Sequence, residues 1–406
     1  MSVYIRSIET AVPTTVLQQD QTRDAFAAQP GLGRLGQRLI HSTFSASGIE
    51  RRYSVIDDFD FEQDRDLRAE PVFFDRDTAQ MLNPGTAIRN RVYTSRAAEL
   101  FVEAGKRALK ACDGIDAADV THVVTVSCTG FFAPGPDFML VRELGLAPTV
   151  SRQHLGFMGC YASLPALRVA ADFCRADPDA VVLVVSTELC TLHVRVSNDP
   201  DTIVASSVFA DGAGAAVVTA KPPGQDTAAL RIDRFGTVIT PVGEGDMAWT
   251  IGDHGFEMVL SKYVPHIIDE HILGALEPLL AEEPELARSP KESVRHWAIH
   301  PGGRSILDKV EAKLGLSEAQ LIPSRDTLRD YGNMSSATIL FVLKHILDGR
   351  REASLGAILP GETGPGETLA DESVPDRDER VAAMAFGPGL TVETALLTRL
   401  PAVATG

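Results

Sequence analysis

Three short segments of this chain carry a cysteine, a histidine and an asparagine that could together handle a thioester. Cys160 stands in Gly159-Cys160-Tyr161-Ala162-Ser163-Leu164-Pro165-Ala166-Leu167, which reads as the first turn of a nearly all-apolar helix. A helix N-terminus and a nearby histidine lower a thiol's pKa from about 8.5 to roughly 3.5–7.5, and the thiolate is the nucleophile. His300 ends an apolar strand in Trp297-Ala298-Ile299-His300-Pro301-Gly302-Gly303, and Asn333 opens another helix in Tyr331-Gly332-Asn333-Met334-Ser335-Ser336-Ala337. Moving an acyl group onto a cysteine exchanges one thioester for another, so the acyl carbon stays activated for attack by carbon. Two neutral donors, His300 and Asn333, suit the enolate that forms when a malonyl unit loses carbon dioxide. Each such donor is typically worth about 3–4 kcal/mol.

Taken singly, each residue has an ordinary reading as well. Free cysteine is among the most buried residue types, so Cys160 could simply pack a core. A histidine before Pro-Gly-Gly could shape a turn, and an asparagine after glycine could cap its helix. The three matching contexts, strand end or helix start, favour a shared site over three coincidences.

The elements that must position these residues alternate between strand and helix. The runs 120–127 and 180–186 are β-branched and apolar, as expected of strands buried on both faces, and helical stretches separate them. The class is therefore α/β. An internal echo accompanies this pattern. The strand 120–127 ends at Cys128 and the strand 294–299 ends at His300, while Cys160 follows Cys128 by 32 residues and Asn333 follows His300 by 33. The segments 209–218 and 386–393 each place a glycine turn before a strand. Duplication would make Cys160 and Asn333 equivalent positions. A linker at Lys221-Pro222-Pro223-Gly224-Gln225-Asp226 divides the chain into halves 1–228 and 229–406, the first carrying the cysteine and the second the histidine and asparagine. The Gly-, Pro- and acid-rich stretch 360–380 reads as a solvated loop.

Composition narrows the partners. With 406 residues and 44% hydrophobic content the chain can bury a large core. Its net charge of −17 argues against nucleic acid or an anionic membrane as the main partner. The five cysteines form no CxxC pair, so neither a disulfide framework nor a metal site is expected. The N-terminus lacks a signal-peptide pattern and no long apolar run follows, so a soluble cytoplasmic protein without an integral membrane segment is expected.

These segments, together with Phe386-Gly387-Pro388-Gly389-Leu390-Thr391, resemble the chalcone synthase-like family, the type III polyketide synthases of the thiolase fold. The similarity covers nearly the whole chain. It implies a duplicated α-β-α-β-α five-layer architecture, a homodimer, no permanently bound cofactor, and acyl-CoA and malonyl-CoA thioesters as substrates. It also implies loading onto Cys160, decarboxylative extension and cyclisation. Phe209 matches the family's gatekeeper phenylalanine, and Ser335 falls among the pocket residues. The second gatekeeper aligns with Met258, or with Phe256 if the register shifts. The methionine that plant members insert across the dimer becomes Ala133, and a cavity threonine becomes His193. His193 can be read as an acid–base group or as a satisfied wall residue. These changes suggest an aliphatic, fatty acyl starter and an alkylpyrone or alkylresorcinol product. The basic clamp for CoA is not copied here, which leaves Arg38, Arg51, Arg52 and Arg304 as candidate phosphate contacts and delivery by an acyl carrier protein open. Two other functions stay in view: a single-condensation ketosynthase or acyltransferase related to the enzyme initiating fatty-acid synthesis, and a catalytically silent scaffold binding acyl thioesters.

Overall fold

The computed structural model describes residues 1–60, 70–349 and 378–402. Its principal strands are β1 (Val3–Ala11), β2 (His122–Ser127), β3 (Ser151–Gly156), β4 (Val181–Leu189), β5 (Asp211–Thr219), β6 (Ala229–Ile239), β7 (Met247–Gly252), β8 (Gly255–Leu260), β9 (His296–Ile299), β10 (Glu379–Gly387) and β11 (Thr391–Leu400). All but β7 and β8 join one mixed sheet in the order β9-β10-β11-β6-β1-β5-β4-β2-β3. The helices that bear on the site are α1 (Arg34–Ala46), α2 (Thr86–Lys110), α3 (Ser163–Ala176), α4 (Pro200–Val208), α5 (Val264–Leu280), α6 (Arg304–Leu314), α7 (Glu318–Tyr331) and α8 (Thr338–Asp348).

The sheet repeats itself about the antiparallel β1–β6 pair. On one side β2 and β4 are parallel, β4 and β5 antiparallel, and β5 and β1 antiparallel. On the other, β9 and β10 are parallel, β10 and β11 antiparallel, and β11 and β6 antiparallel. The strands leading to Cys128 and to His300, β2 and β9, thus occupy matching places.

Strand alternation divides the core into layers. From β4, Val182 and Val184 face the central helices α3 and α8, while Val181, Leu183 and Val185 face Tyr93, Ala97, Phe101 and Ala104 of α2. From β10, Val381, Ala383 and Ala385 face the same central helices, whereas Ala382, Met384 and Phe386 pack with Ile268, Ile272 and Leu276 of α5. A helix apolar nearly all round belongs in the middle layer, and α8 buries Ile339, Leu340, Val342, Leu343, Ile346 and Leu347. Each such aliphatic side chain contributes about 1.5–3 kcal/mol. The result is five layers, α-β-α-β-α.

Some local expectations change. Helix α3 begins at Ser163, so Cys160 lies in the turn before it and not in its first turn. Asn333 likewise precedes α8, pairing by a β-bridge with Phe209 before a short 3-10 turn at Ser335–Ala337. Gly212 and Gly214 are inside β5 and form no turn. A Cβ on Gly214 would stand 2.7 Å from Leu340 Cβ, so the missing side chain lets α8 lie close on the sheet. Most of the stretch 360–380 lies outside the described residues, and its end, Glu379 and Arg380, is already in β10.

Candidate active site

Cys160, His300 and Asn333 line one cavity with Phe209, Ser335, Cys128, Cys190, Met247, Trp249, Met258, Leu260, Ile306, Phe386 and Pro388 among its other walls. Each chemical residue is delivered by a different chain reversal. Gly159, at φ +87°, turns the chain into Cys160, and its missing side chain leaves room for the Pro388 ring. His300 follows β9 directly, its backbone N–H donating to Met384 O at 2.8 Å. Asn333 is clasped by backbone: its N–H donates to Val208 O at 2.8 Å and its carbonyl accepts from Ala210 N at 2.9 Å. Phe209 therefore sits between two hydrogen bonds to Asn333.

The side chain of Asn333 has one orientation that satisfies its neighbours. Its Oδ1 accepts from Ser335 N at 2.9 Å, and its Nδ2 donates to Gly302 O at 3.2 Å. One amide hydrogen remains to donate elsewhere. His300 is buried, and among the described residues neither ring nitrogen has a hydrogen-bond partner. The direct Cys160–His300 pairing expected from the sequence is therefore not formed. The Cys160 thiol instead accepts from Ser335 Oγ at 3.4 Å. Burial, not ion pairing, sets the titration of both groups. It pushes the Cys160 thiol up to about 12 and lowers the His300 imidazole to about 3, opposite to the depressed thiol expected from a helix terminus. The helix start is three residues away, which weakens its field at the sulfur.

Beneath Ser335 lies a group that motif reading missed. The buried Glu188 carboxylate accepts from Cys128 N at 3.0 Å, Thr129 Oγ1 at 2.9 Å, Cys128 Sγ at 3.1 Å and the Ser336 hydroxyl. Cys128 Sγ in turn lies 3.5 Å from Ser335 Oγ, so Ser335 stands between two thiols. Ser335 itself adopts φ +47°, an uncommon conformation for a residue with a side chain. Burial raises the Glu188 pKa, and its hydrogen bonds oppose that rise. The available signal was a lone acid, Glu188, ending the apolar run 180–187.

The other candidates separate. Met258 and Phe209 line both the Cys160 cavity and a neighbouring chamber, while Phe256 lines the neighbouring chamber and not the cavity. His193 also belongs to that neighbouring chamber. Its Nε2 donates to Thr129 O at 2.8 Å, its Nδ1 accepts from Phe256 N at 3.0 Å, and its ring stacks on Phe256 at 4.2 Å. Both nitrogens are thus used and burial holds the ring neutral, its pKa lowered to about 3, which fits the wall reading of His193. Ala133 is exposed and does not line the Cys160 cavity.

Among the described residues no arginine lines the cavity. Arg52 is buried and donates to Gln19 Oε1, Ser206 O and Phe209 O, so it tethers the end of α4 and cannot reach a phosphate. Arg51 pairs with Asp330 at 3.4 Å. Arg304 packs over Gly48 and pairs with Asp308 at 3.6 Å, in a surface depression with Arg325 and Arg329. Arg38 lies on α1 in another depression, beside Arg34 and His41.

Residues 2–222 match the N-terminal domain of chalcone and stilbene synthases, and residues 235–401 match the C-terminal domain. The chain belongs to this family. Its members are type III polyketide synthases, transferases that catalyse decarboxylative condensation and use CoA thioesters as substrates without a permanently bound cofactor. Acyl-CoA and malonyl-CoA are the family's substrates, and a homodimer is its typical state. Bisdemethoxycurcumin synthase of Oryza sativa subsp. japonica is 33% identical over 359 residues, covering 86% of this chain and 80% of the relative. The 3,5-dihydroxyphenylacetyl-CoA synthase of Streptomyces toyocaensis is 29% identical over 398 residues, covering 97% and 89%. Among solved structures, PKS-I from the brown alga Ectocarpus siliculosus superposes with a TM-score of 0.83 at 28% identity, covering 98% of this chain and 99% of that one. The family's thiolase-like fold is the five-layer arrangement described above. Among the described residues no helix is long and apolar enough to cross a membrane, and no cluster of metal-ligating side chains occurs.

Proposed function

We propose that this type III polyketide synthase loads an aliphatic acyl starter on Cys160, extends it with malonyl-CoA and cyclises the chain to an alkylpyrone or alkylresorcinol. The observation that carries the reading is the pairing of an unpartnered His300 ring and a spare Asn333 amide hydrogen with Cys160 in one cavity of largely apolar wall. Burial keeps the imidazole neutral, so it can accept the thiol proton as Cys160 Sγ attacks the starter carbonyl and CoA leaves as a thiol. Malonyl-CoA then loses carbon dioxide, and the developing enolate oxygen takes the N–H of His300 and the amide hydrogen of Asn333. The enolate carbon attacks the acyl carbon and expels the Cys160 sulfur, which is ready to be reloaded.

An aliphatic starter is favoured by Met247, Met258, Leu260 and Ile306 around the sulfur. His193 lines the adjoining chamber, and Ala133 enters the reading only by family resemblance, as the position that plant members insert across the dimer. Cys160, on the first half (1–228), and His300 and Asn333, on the second (229–406), make the duplication a working part of the proposal. A homodimer belongs to it by family resemblance. With no arginine among the described residues of the cavity wall, carrier-protein delivery of the starter stays open beside CoA delivery. Mass spectrometry of products from an acyl-CoA series with malonyl-CoA tests the reading. Several ketide additions to aliphatic starters, all lost in Cys160→Ala, are expected. A single condensation points to the ketosynthase alternative, and unchanged behaviour of Cys160→Ala to a silent scaffold.

A further inference from the structure

Arg52 is a cation that the proposed chemistry does not touch and that the fold nevertheless encloses. Its side chain is buried, which lowers its pKa from the usual arginine range to about 10. Taking a charge out of water is costly unless polar groups meet it, and the groups that meet this one gather at the Phe209–Asn333 bridge. Nη1 donates to Ser206 O at 2.9 Å and to Phe209 O at 2.6 Å, while Nε donates to Gln19 Oε1 at 3.0 Å. Gln19 in turn donates to Ser207 O at 2.8 Å, so this pair of side chains holds three carbonyls around the end of α4. Asp211 supplies the opposing charge, and its own oxygens accept from Thr191 and Val55.

On the other side of Arg52 lies the turn that delivers Asn333. Gly332, at φ +71°, brings its backbone against the arginine stem. A Cβ there would stand 2.8 Å from Arg52 Cγ and 2.9 Å from Val208 O. Arg52 belongs to the short strand Arg51–Ser54, and its neighbours meet the end of α7. Glu50 N donates to Arg329 O at 2.9 Å, Arg51 pairs with Asp330, and Tyr53 stacks on Tyr331 at 5.7 Å. Four consecutive residues, 50–53, thus brace the stretch 329–332 that leads into Asn333.

We propose that Arg52 is the positioning residue for the Asn333 amide, locking the Phe209–Asn333 bridge from behind so that the spare amide hydrogen is held toward the developing enolate. This rests on the role proposed above for Asn333 in malonyl-CoA decarboxylation. A lysine would keep the charge, but as a single point on a flexible stem it could not hold Ser206 O, Phe209 O and Gln19 together. Loading of the starter is the work of Cys160 and His300, which stand on other elements. Slack at Arg52 therefore reaches decarboxylation and spares loading.

Arg52→Lys tests the assignment. Intact mass follows acyl loading of Cys160, and carbon dioxide release follows decarboxylation of malonyl-CoA. Decarboxylation should fall by about 10- to 100-fold, the cost of a displacement near 1 Å, while loading changes little. Equal loss in both steps overturns the proposal, and so does a folded variant with native rates of both. A double-mutant cycle separates positioning from a general loss of stability. Because Arg52 acts through the amide, Arg52→Lys should cost nothing further in an Asn333→Ala background, and additive losses overturn the proposal. If Asn333→Ala by itself leaves decarboxylation intact, the proposed role of Asn333 falls and that of Arg52 with it. A large loss in Asn333→Ala without coupling to Arg52→Lys removes the role of Arg52 alone. Should Arg52→Lys fail to fold, Gln19→Met carries the same cycle in milder form, since it takes away the Nε acceptor and the Ser207 tie and leaves the charge in place. The same criteria then apply: a loss confined to decarboxylation and absent from the Asn333→Ala background supports the proposal, and any other pattern overturns it.

Discussion

The floor beneath Cys160 and the β7–β8 hairpin that covers it hold their side chains in different ways. On the floor, one buried carboxylate, Glu188, gathers a backbone N–H, three hydroxyls and a thiol from two separate segments. Ser163 Oγ adds a bond to Ser336 O at 2.6 Å, tying the start of α3 to the Asn333 turn. In the hairpin, Met247, Met258 and Leu260 make apolar contacts only, and Trp249 has a single polar tie. A polar network fixes geometry because every unmade bond is costly, whereas apolar walls tolerate exchange of shape. The floor is suited to conserving a reaction and the hairpin to varying its substrate.

The comparison is broken most sharply at the donors. His300→Ala and Asn333→Ala are each expected to lower kcat for condensation by about 10²–10³, the usual cost of one oxyanion donor. Acyl transfer from starter to Cys160, followed by intact mass, should survive better in Asn333→Ala than malonyl-CoA decarboxylation does. Equal loss of both steps would mean that Asn333 holds the turn and not the enolate.

The next effect is on stability. Glu188→Ala strands the donors of Cys128, Thr129 and Ser336 in a buried site and should destabilise the fold by about 2–4 kcal/mol, several degrees in Tm. Val259→Ala on the exposed hairpin face should stay within about 0.5 kcal/mol. Similar losses from the two substitutions would remove the distinction between floor and lid.

A subtler test concerns protons. Burial drives the Cys160 thiol up, so its alkylation by iodoacetamide should keep rising with pH beyond 9; a plateau near neutrality would instead reveal a preformed thiolate. His300 moves the other way. In the unfolded chain it takes a proton near 6.5, whereas in the fold it stays neutral down to about 3. The unfolded state binds the extra proton between those values, so stability falls as pH drops through that window. The native protein minus His300→Gln should show that slope in Tm against pH, and two parallel curves would contradict it.

Much of the floor was legible in the sequence, and most of the lid was not. Cys160, His300 and Asn333 each sit where a strand or turn ends beside glycine, and backbone signals of that kind are local. Glu188 was less visible because its partners are 59 to 148 residues away. Trp249 escaped notice because a tryptophan in a short amphipathic strand carries no motif, and its role depends on which chambers it lines. Arg52 misled for a related reason: its charge suggested a phosphate, but the fold spends that charge on the carbonyls of Ser206 and Phe209. Residue type reported the chemistry available, and only the tertiary neighbours decided how it is used.

The smallest expected effect lies at the seam between the two regions, where Met258 faces both chambers. Met258→Phe exchanges a flexible thioether for a rigid ring of greater volume beside Trp249. The hairpin should keep its register, because the substitution suits a strand and Met258 pairs directly with Trp249. Tm should change by no more than a degree or two. Starter preference should shorten by one or two methylenes, about 1–3 kcal/mol of discrimination, while kcat for the preferred starter stays within a few fold. If kcat fell as far as in His300→Ala, the lid would be setting the position of the reacting carbon, and the division between a floor that reacts and a hairpin that selects would not hold.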